Sequence, residues 1–275
     1  GGVLALARHL SAFCDTVSVL SFFGNEKEEK IYIKENIEKN IKLNLLTKSN
    51  SPTIIKRRFL DKVSSKKVLG VYSINDDPLT KKDETKFINE IEKLIIEFDM
   101  VIVSDYGHGI ITSQVAKHIS RIDKFVSLNA QVNAANTGTH NIRKYHNINC
   151  LIINANELRH EMRQREGELV TLAANLKGII GAEYITVTQG RSGAFLLNDG
   201  ATPINCPGFA VDIVDKIGAG DALLALISCS LKSEFDADMS LFMGSLAAAQ
   251  SVETIGNSIP VNKVQLLKTF SHAVK

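Results

Sequence analysis

The most chemically suggestive stretch of the sequence runs from Val211 to Leu231, where a polar turn with two glycines leads into an apolar segment. Glycine lets the backbone approach a ligand closely, and the first turn of a helix leaves N–H groups unpaired at the positive end of its dipole. Gly218, Ala219 and Gly220 are therefore suited to hold a phosphate or the charge that develops during phosphoryl transfer. Asp221 beside them is suited to act as a general base. The alternative is an aspartate that only caps the helix.

The elements that must position these residues follow a regular pattern from about residue 99 onwards. Short apolar strands that end in polar residues alternate with helices, which predicts an α/β fold with a mostly parallel sheet. Four strands end near Asp105, Asn129, Asn154 and Thr188. Because ligands bind beyond the carboxyl ends of such strands, we expect a site at this edge of the sheet. The alternative is that loops are simply polar.

The remaining segments are assigned from periodicity. We predict a helix over Val3–Phe13, a strand over 15–24 and an amphipathic helix over Lys81–Phe98. Residues 26–50 indicate one or two exposed strands with charged connections, and residues 51–61 and 66–76 indicate a pair of strands. A long polar helical stretch is predicted to run through Gly178, and residues 219–275 are predicted to be helical almost throughout.

Composition excludes several classes of protein. The 275 residues are 44% hydrophobic and 23% charged with a net charge of +2, which is typical of a globular protein and argues against a nucleic-acid or anionic-membrane surface. No apolar run reaches the roughly 20 residues of a membrane-spanning helix. The four cysteines are far apart in sequence and indicate reduced core residues of a cytoplasmic protein. The phosphate motifs GxxxxGK[ST] and GxGxxG are absent, so neither a P-loop nor a dinucleotide fold is expected.

Several motifs together resemble one family. The segment "VDKIGAGDALLA" resembles the C-terminal signature of the ribokinase, or PfkB, carbohydrate kinases, with Lys216 in place of the usual threonine. The stretches "GGVLALARHLSAF", "VIVSDYGHG", "NANE", "ITVTQGRSGAFLL" and "AAAQSVETIGNSIP" resemble further elements of that family in the same order. The similarity is closest to the heptose-phosphate kinase branch, which includes kinases fused to a cytidylyltransferase-like domain.

The resemblance implies one PfkB-type kinase domain over residues 1–275. Its expected fold is ribokinase-like, with three layers, a mostly parallel sheet flanked by helices, and a small β lid within about residues 28–75. The family's first strands have no counterpart in the sequence, so we expect a fragment of a longer protein. Relatives often dimerise through the lid, which implies a homodimer, and a fused nucleotidyltransferase domain is expected upstream.

The resemblance also implies the roles of the catalytic and nucleotide-binding residues, with ATP and Mg²⁺ as cofactors. Asp221 is the expected base, and Gly218, Ala219 and Gly220 form the expected anion hole. Asn154 and Glu157 take the place of the family's NxxE element, with Glu157 holding magnesium through water. The alternative is an ordinary strand-end Asn followed by a helix-start Glu. In the alternative alignment Asn156 replaces Asn154, and Arg159 then stands where glutamate is expected. The residues expected along the nucleotide are Thr188, Gly190, Gly193, Gly256 and Asn257, and those expected at a K⁺ site are Asp215 and Ile217.

The acceptor side departs more from the family pattern. Gly1 and Gly2 match the substrate-side glycines, Asp105 is expected to approach sugar hydroxyl groups, and Asn129 closes the neighbouring strand. Strand alternation sends Lys56 and Arg58 to one face and Arg57 to the other, so Lys56 is a candidate for binding a substrate phosphate. The alternative is a solvated basic edge strand. His108 replaces the family's lysine and is expected to face solvent.

These features predict an ATP-dependent kinase that phosphorylates a hydroxyl group of a sugar or sugar phosphate, with a heptose-phosphate-like acceptor favoured. Two alternatives remain at this point. The chain could be a nucleotide- or sugar-binding module without turnover inside a larger fusion protein, or a kinase of nucleosides or other small alcohols. No nucleic-acid or membrane partner is expected.

Overall fold

The structure, a computed structural model, describes residues 2–24, 28–62, 67–132, 136, 141–200, 202–210 and 212–273. The strands in this part of the chain are β1 (Val17–Phe23), β2 (Ile41–Thr47), β3 (Ile55–Leu60), β4 (Lys67–Ser73), β5 (Met100–Asp105), β6 (Phe125–Ala130), β7 (Cys150–Asn154), β8 (Tyr184–Thr188), β9 (Ala194–Leu197) and β10 (Ile204–Cys206). The α-helices are α1 (Gly2–Ser11), α2 (Glu28–Glu35), α3 (Lys81–Ile95), α4 (Ser113–Ile119), α5 (Ala155–Glu161), α6 (Leu169–Ile180), α7 (Ala219–Lys232), α8 (Ala237–Ser251) and α9 (Lys263–Ala273).

The centre of the fold is a six-stranded sheet in the order β10-β9-β8-β7-β6-β5. Strands β5 to β8 are parallel, whereas β9 and β10 each run antiparallel to their neighbour. Because side chains alternate along a strand, Ile152 of β7 packs into one apolar cluster with α1, α7 and α8, and Leu151 and Ile153 pack into a second cluster with α4 and α6. The predicted three-layer α/β fold with a mostly parallel sheet is confirmed.

Strands β1 and β2 lie apart from this sheet. They pair in parallel with each other, and among the described residues β1 has no other strand partner. Residues of β1 and of β5, the edge strand of the central sheet, line the same large cleft. Strands β1 and β5 therefore border the same cleft without pairing with each other.

A small antiparallel pair, β3 and β4, forms the predicted lid. Its faces are poorly covered, since Phe59, Val68 and Leu69 are each about half exposed or more. Among the described residues of the range 28–75, β3 and β4 form a sheet of their own, whereas β2 pairs with β1.

Three local features differ from the predictions. Residues 26–50, predicted to form one or two exposed strands with charged connections, contain strand β2 but also helix α2, because glutamate and lysine favour helix over strand. The long helical stretch through Gly178 is two helices, broken where Arg163 adopts a left-handed backbone conformation with φ of 53°. The three-residue strand β10 was not predicted, because so short a segment carries no periodic signal.

Cys150 and Cys206 are buried, as predicted for core residues, whereas Cys14 and Cys229 are half-buried. All four cysteines are free. The fold nevertheless brings two distant ones together, since the Sγ atoms of Cys14 and Cys229 lie 3.8 Å apart. In the part of the chain that the structure describes, no helix is both long enough and apolar enough to cross a bilayer.

Candidate active site

The N-terminus of α7 opens onto the cleft. Gly218 is the N-cap residue with φ of 100°, and it contributes no side chain to cap the helix. The first-turn N–H groups are therefore left to face the cleft, whose wall Gly218, Ala219 and Gly220 all line. Gly218 is required for a second reason: a Cβ atom there would lie 2.2 Å from Cγ of Asn257.

Asp221 lies one helical position further and also lines the cleft. Its side chain is buried, with 8% of the residue exposed. Burial raises the pKa of Asp221 to about 6, against the opposing effect of hydrogen bonds from Tyr106 and Asn257. The Tyr106 hydroxyl donates to Oδ1 at 3.4 Å, and the Asn257 amide donates to Oδ2 at 3.3 Å. A carboxylate with a pKa near neutral is suited to accept a proton from a hydroxyl group.

Asn154 and Glu157 form a reciprocal capping box at the start of α5. Asn154 Oδ1 accepts the N–H of Glu157 at 2.9 Å, and Glu157 Oε2 accepts the N–H of Asn154 at 3.0 Å. Glu157 Oε1 also accepts the N–H of Val132 at 3.3 Å, and burial raises the pKa of the Glu157 carboxyl. Both side chains lie on the cleft, whereas Asn156 is exposed to solvent. The geometry favours the alignment that pairs Asn154 with Glu157.

The predicted nucleotide residues after β8 form a tight turn on the cleft wall. Gly190 and Gly193 have positive φ angles of 61° and 89°. A Cβ atom at Gly193 would lie 2.1 Å from the carbonyl oxygen of Cys206. This turn therefore depends on glycine, and it leaves Thr188 at the strand end beside the cleft.

Gly256 and Asn257, both predicted to lie near the adenine, line the cleft. The side chain of Asn257 faces the N-terminus of α7, where its amide donates to Asp221. Asp215 binds the same segment from the other side, because its carboxylate accepts the N–H groups of Ile217 at 3.0 Å and Gly256 at 2.9 Å. Asp215 itself does not line the cleft.

The acceptor side contains a residue that the sequence interpretation did not single out, Tyr106. Gly2 packs so closely against it that a Cβ atom at Gly2 would lie 1.6 Å from the Tyr106 hydroxyl oxygen. Lys56 Nζ lies 5.4 Å from the centre of the Tyr106 ring. Lys56 and Arg58 line the cleft and Arg57 does not, as the strand alternation predicted. Gly1 lies outside the described residues.

Asp105 and Asn129 line the cleft but are held by protein groups. Asp105 Oδ2 accepts the Tyr145 hydroxyl at 2.7 Å and lies 2.7 Å from Lys144 Nζ, while Oδ1 accepts the N–H of Gly107. The Asn129 amide donates to the carbonyl of Ile152 at 2.9 Å. These contacts give both side chains a structural role at the strand ends, in addition to the acceptor contacts predicted from sequence.

His108 is not the solvent-facing residue that we expected. It is 6% exposed, and its Nδ1 lies 2.7 Å from Asp76 Oδ1. The tight turn at Gly107 and Gly109, both with positive φ, directs this side chain inwards. Burial lowers the pKa of His108, and the nearby Lys56 lowers it further, against the effect of Asp76.

The fold thus brings nearly all of the predicted residues to one cleft of about 2770 Å³. This exceeds the roughly 300–1,000 Å³ of a pocket for one small molecule. Sequence reasoning missed His9, Tyr106, Lys144 and Tyr145, of which only Tyr106 carried a signal, as the neighbour of Asp105. The predicted residues on the cleft wall are Gly2, Lys56, Asp105, Asn129, Asn154, Glu157, Thr188, Gly190, Gly193, Gly218, Ala219, Gly220, Asp221, Gly256 and Asn257.

Comparisons with solved structures agree with this architecture. Phosphofructokinase-2 from Escherichia coli in complex with potassium superposes with a TM-score of 0.77 at 12% identity, covering 100% of this chain and 88% of that one. Ribokinase from Arabidopsis thaliana complexed with ribose and ATP superposes with a TM-score of 0.67 at 17% identity, covering 96% and 84%. At these identities the similarity shows a ribokinase-like fold.

Sequence comparisons identify the family. The "Bifunctional protein HldE" of Bradyrhizobium sp. strain ORS 278 is 27% identical over 234 residues, which are 84% of this chain and 47% of that protein. The chain spans about half the length of the curated relatives it matches. The model of the pfkB family carbohydrate kinases matches residues 2–264. The chain therefore belongs to the pfkB family of carbohydrate kinases.

Proposed function

We propose that this chain transfers the γ-phosphoryl group of ATP to a hydroxyl group of a sugar or sugar phosphate. One observation carries the proposal: a buried carboxylate, Asp221, lies on the cleft wall next to the uncapped N-terminus of α7. An anion site and a base of suitable pKa are the two groups that phosphoryl transfer requires from the protein. Family membership supports the same reaction.

In the proposed reaction Asp221 accepts the proton of the acceptor hydroxyl. The hydroxyl oxygen forms a bond to the γ-phosphorus as the bond from phosphorus to the ADP oxygen breaks. The N–H groups at Gly218, Ala219 and Gly220 face the negative charge on the transferring group and stabilise it. The Tyr106 hydroxyl, 3.4 Å from Asp221 Oδ1, holds the carboxylate on the acceptor side.

We propose that Asn154 and Glu157 hold Mg²⁺ through water beside the nucleotide phosphates. No group of three or more His, Cys, Asp or Glu side chains able to hold a metal is found among the described residues. Mg²⁺ keeps several waters and binds through one or two carboxylates and substrate phosphates, so the Glu157 carboxylate on the cleft fits it. Bound Mg²⁺ would neutralise charge on those phosphates.

We propose that ATP lies along Thr188, Gly190, Gly193 and Gly256, and the similar ribokinase from A. thaliana is complexed with ATP.

We propose a phosphorylated sugar, heptose phosphate in particular, as the acceptor. Lys56 and Arg58 place two positive groups on the cleft wall near Tyr106, and Tyr106 in turn contacts Asp221. A phosphate bound by these groups would leave a sugar hydroxyl within reach of the base. The resemblance of "VIVSDYGHG" to the heptose-phosphate kinases supports this acceptor.

We also propose a monovalent-cation site near Asp215 and Ile217, since the similar E. coli phosphofructokinase-2 is in complex with potassium. Asp215 already organises backbone N–H groups of two segments there. Activity measured in K⁺ and then in N-methylglucamine salts tests this site. Equal activity in both would contradict it.

We propose that the full polypeptide supplies further strands between β1 and β5, and a second domain. The position of β1 and β5 on the same cleft without pairing supports the strands, and the structural neighbours are longer than this chain. The bifunctional relatives of about twice its length support the domain. A chain extended at its N-terminus should show slower amide hydrogen exchange in β1 and β5. Unchanged exchange in both strands would contradict the proposal.

The main experiment measures ADP release with magnesium-ATP and a panel of phosphorylated heptoses, phosphorylated hexoses and nucleosides. We expect release with a phosphorylated sugar and a loss of about 10²-fold or more in kcat for Asp221→Asn, with nucleotide binding retained. Near-normal turnover in this variant would remove Asp221 as the base. ATP binding without ADP release across the panel would instead favour a non-catalytic binding module.

A further inference from the structure

Behind Asp221, a chain of buried polar side chains connects α7 to α1. The N–H of Val261 donates to His9 Nδ1 at 3.1 Å, and His9 Nε2 lies 2.9 Å from Asn257 Oδ1. Asn257 Nδ2 then donates to Asp221 Oδ2 at 3.3 Å. His9 is 1% exposed and Asn257 is 8% exposed, so the chain of contacts is shielded from water.

The bond from the N–H of Val261 to His9 Nδ1 fixes the donor and the acceptor in each of the other hydrogen bonds of this network. A backbone N–H can only donate, so His9 Nδ1 must be the unprotonated nitrogen and the proton must be on Nε2. Nε2–H therefore donates to the oxygen of the Asn257 amide. With its oxygen turned to His9, Asn257 has only its NH₂ group left to face Asp221. The histidine tautomer thus decides which end of the amide the carboxylate meets.

The arrangement requires a neutral imidazole, because a protonated ring could not accept the N–H of Val261. Burial lowers the pKa of His9 to about 4, and the adjacent Arg8 also lowers it, against the effects of Asn257 and Glu38. Arg8 and Glu38 pair with each other at 2.7 Å. The ring consequently stays neutral across the neutral pH range.

The local backbone is adapted to hold Asn257 in this place. Asn257 has a φ of 56°, in the left-handed region that non-glycine residues rarely adopt. It packs against Gly218, where any side chain would collide with it. Such strained positions persist only where the surroundings fix them. Here three hydrogen bonds do so, to His9, to Asp221 and from the Ser251 hydroxyl at 3.4 Å, together with the Gly218 contact.

We infer that His9, through Asn257, is a positioning residue for Asp221: it turns the amide so that an N–H donor holds the Asp221 carboxylate in place. The inference rests on the proposed function, in which Asp221 is the base. It assigns a role to a helix, α1, whose other buried residues only pack in the core. Neither His9 nor Asn257 needs to touch the substrate for this role.

The first test compares His9→Leu, which removes both hydrogen bonds, with His9→Gln, whose amide N–H can still donate to Asn257. A donor to an ionised carboxylate lowers its pKa, so losing that donor should move the acid limb of the kcat/KM profile upwards by about 0.5–1 unit in His9→Leu. We expect kcat at neutral pH to fall about tenfold with KM for ATP unchanged, and His9→Gln to recover most of it. His118→Leu, at a histidine on the outer helix α4, is the control and should behave as wild type.

A purely structural role would lower activity equally at all pH values and leave the acid limb in place. A folded His9→Leu protein with an unshifted limb would therefore overturn the inference. If His9→Leu does not fold, Asn257→Ala removes the same donor and must shift the limb in the same direction. An unshifted acid limb in Asn257→Ala would also overturn the inference.

A measurement independent of activity separates this inference from the proposed function. The ¹⁵N chemical shifts of the His9 ring should show protonated Nε2 and unprotonated Nδ1 from about pH 6 to 8. The opposite tautomer, or a protonated ring, would overturn the inference even if the enzyme is active. Near-normal turnover of Asp221→Asn would instead remove the proposed base and leave the tautomer result intact.

Discussion

Replacing the proposed base should stabilise the protein while it abolishes turnover. Burial raises the pKa of Asp221 from an ordinary value of 3.8 to about 6. Above pH 6 the folded protein must hold a carboxylate that is ionised against this penalty. A shift of about two units corresponds to roughly 3 kcal/mol of lost stability. Asn carries no charge, so Asp221→Asn removes the penalty. It loses about 1 kcal/mol in hydrogen bonding to Tyr106 or Asn257.

We therefore expect the free energy of unfolding of Asp221→Asn to exceed that of wild type by about 2 kcal/mol at pH ~7.5, which corresponds to a rise of about 5 °C in Tm. The sign depends on pH. Between pH 3.8 and about 6 the folded state retains a proton that the unfolded state has lost, so wild-type stability falls as pH rises through this range. The penalty at about pH 4.5 is roughly a third of its value at pH 7.5, so the advantage of the variant should shrink on acidification.

Urea unfolding of wild type and Asp221→Asn at both pH values measures the difference. Asp123→Asn, at an exposed aspartate in the loop before β6, is the control and should change stability by less than about 0.5 kcal/mol. The reasoning is refuted if Asp221→Asn is no more stable than wild type at pH 7.5. It is also refuted if the gain does not shrink at the lower pH, because the carboxylate then bears no burial penalty.

Three further outcomes are expected. Lys56→Ala should raise KM for a phosphorylated acceptor about tenfold and leave KM for ATP unchanged. Arg57→Ala, on the other face of β3, is the control and should change neither KM. Equal effects of the two variants in steady-state kinetics would contradict the phosphate contact. We propose that the exposed lid forms a homodimer, so Val68→Glu should lower the molar mass measured by light scattering. An unchanged dimer mass would show that this face of the lid is not the dimer interface. Tyr145→Phe should lower the free energy of unfolding by about 1–3 kcal/mol, because it removes a buried donor to Asp105, and an unchanged urea midpoint would show that the Tyr145 hydroxyl contributes nothing.

Much of the central fold could be predicted because its signals are local. The apolar strands from β5 to β9 and the helix after Gly218 follow from periodicity and from glycines at turns. The failures have physical causes as well. Helix α2 is short, and the alternating isoleucines and leucines of residues 26–50 suggested strands throughout, although the glutamates and lysines of α2 favour a helix. The break before α6 depends on one left-handed residue, Arg163, which carries no sequence signature.

The candidate site shows the same contrast between local signals, which the sequence carries, and long-range contacts, which it does not. Asp221 and the glycines before it could be proposed from the sequence because an anion site needs particular residue types at close spacing. His9 was not found, because it is 248 residues from Asn257 in the chain and its importance lies in that contact alone. The burial of His108 and the pairing of Asp105 with Tyr145 were likewise invisible, since each depends on a partner from a distant segment.

The sequence by itself determined the family, the layered α/β fold and the glycine-rich turn before α7, since these depend on short-range patterns that a linear chain carries. Only the tertiary structure decided which of the candidate side chains face the cleft freely and which are held by other protein groups. It also decided the ionisation of Asp221, because a pKa reflects burial and hydrogen-bond partners that come together only when the chain is folded.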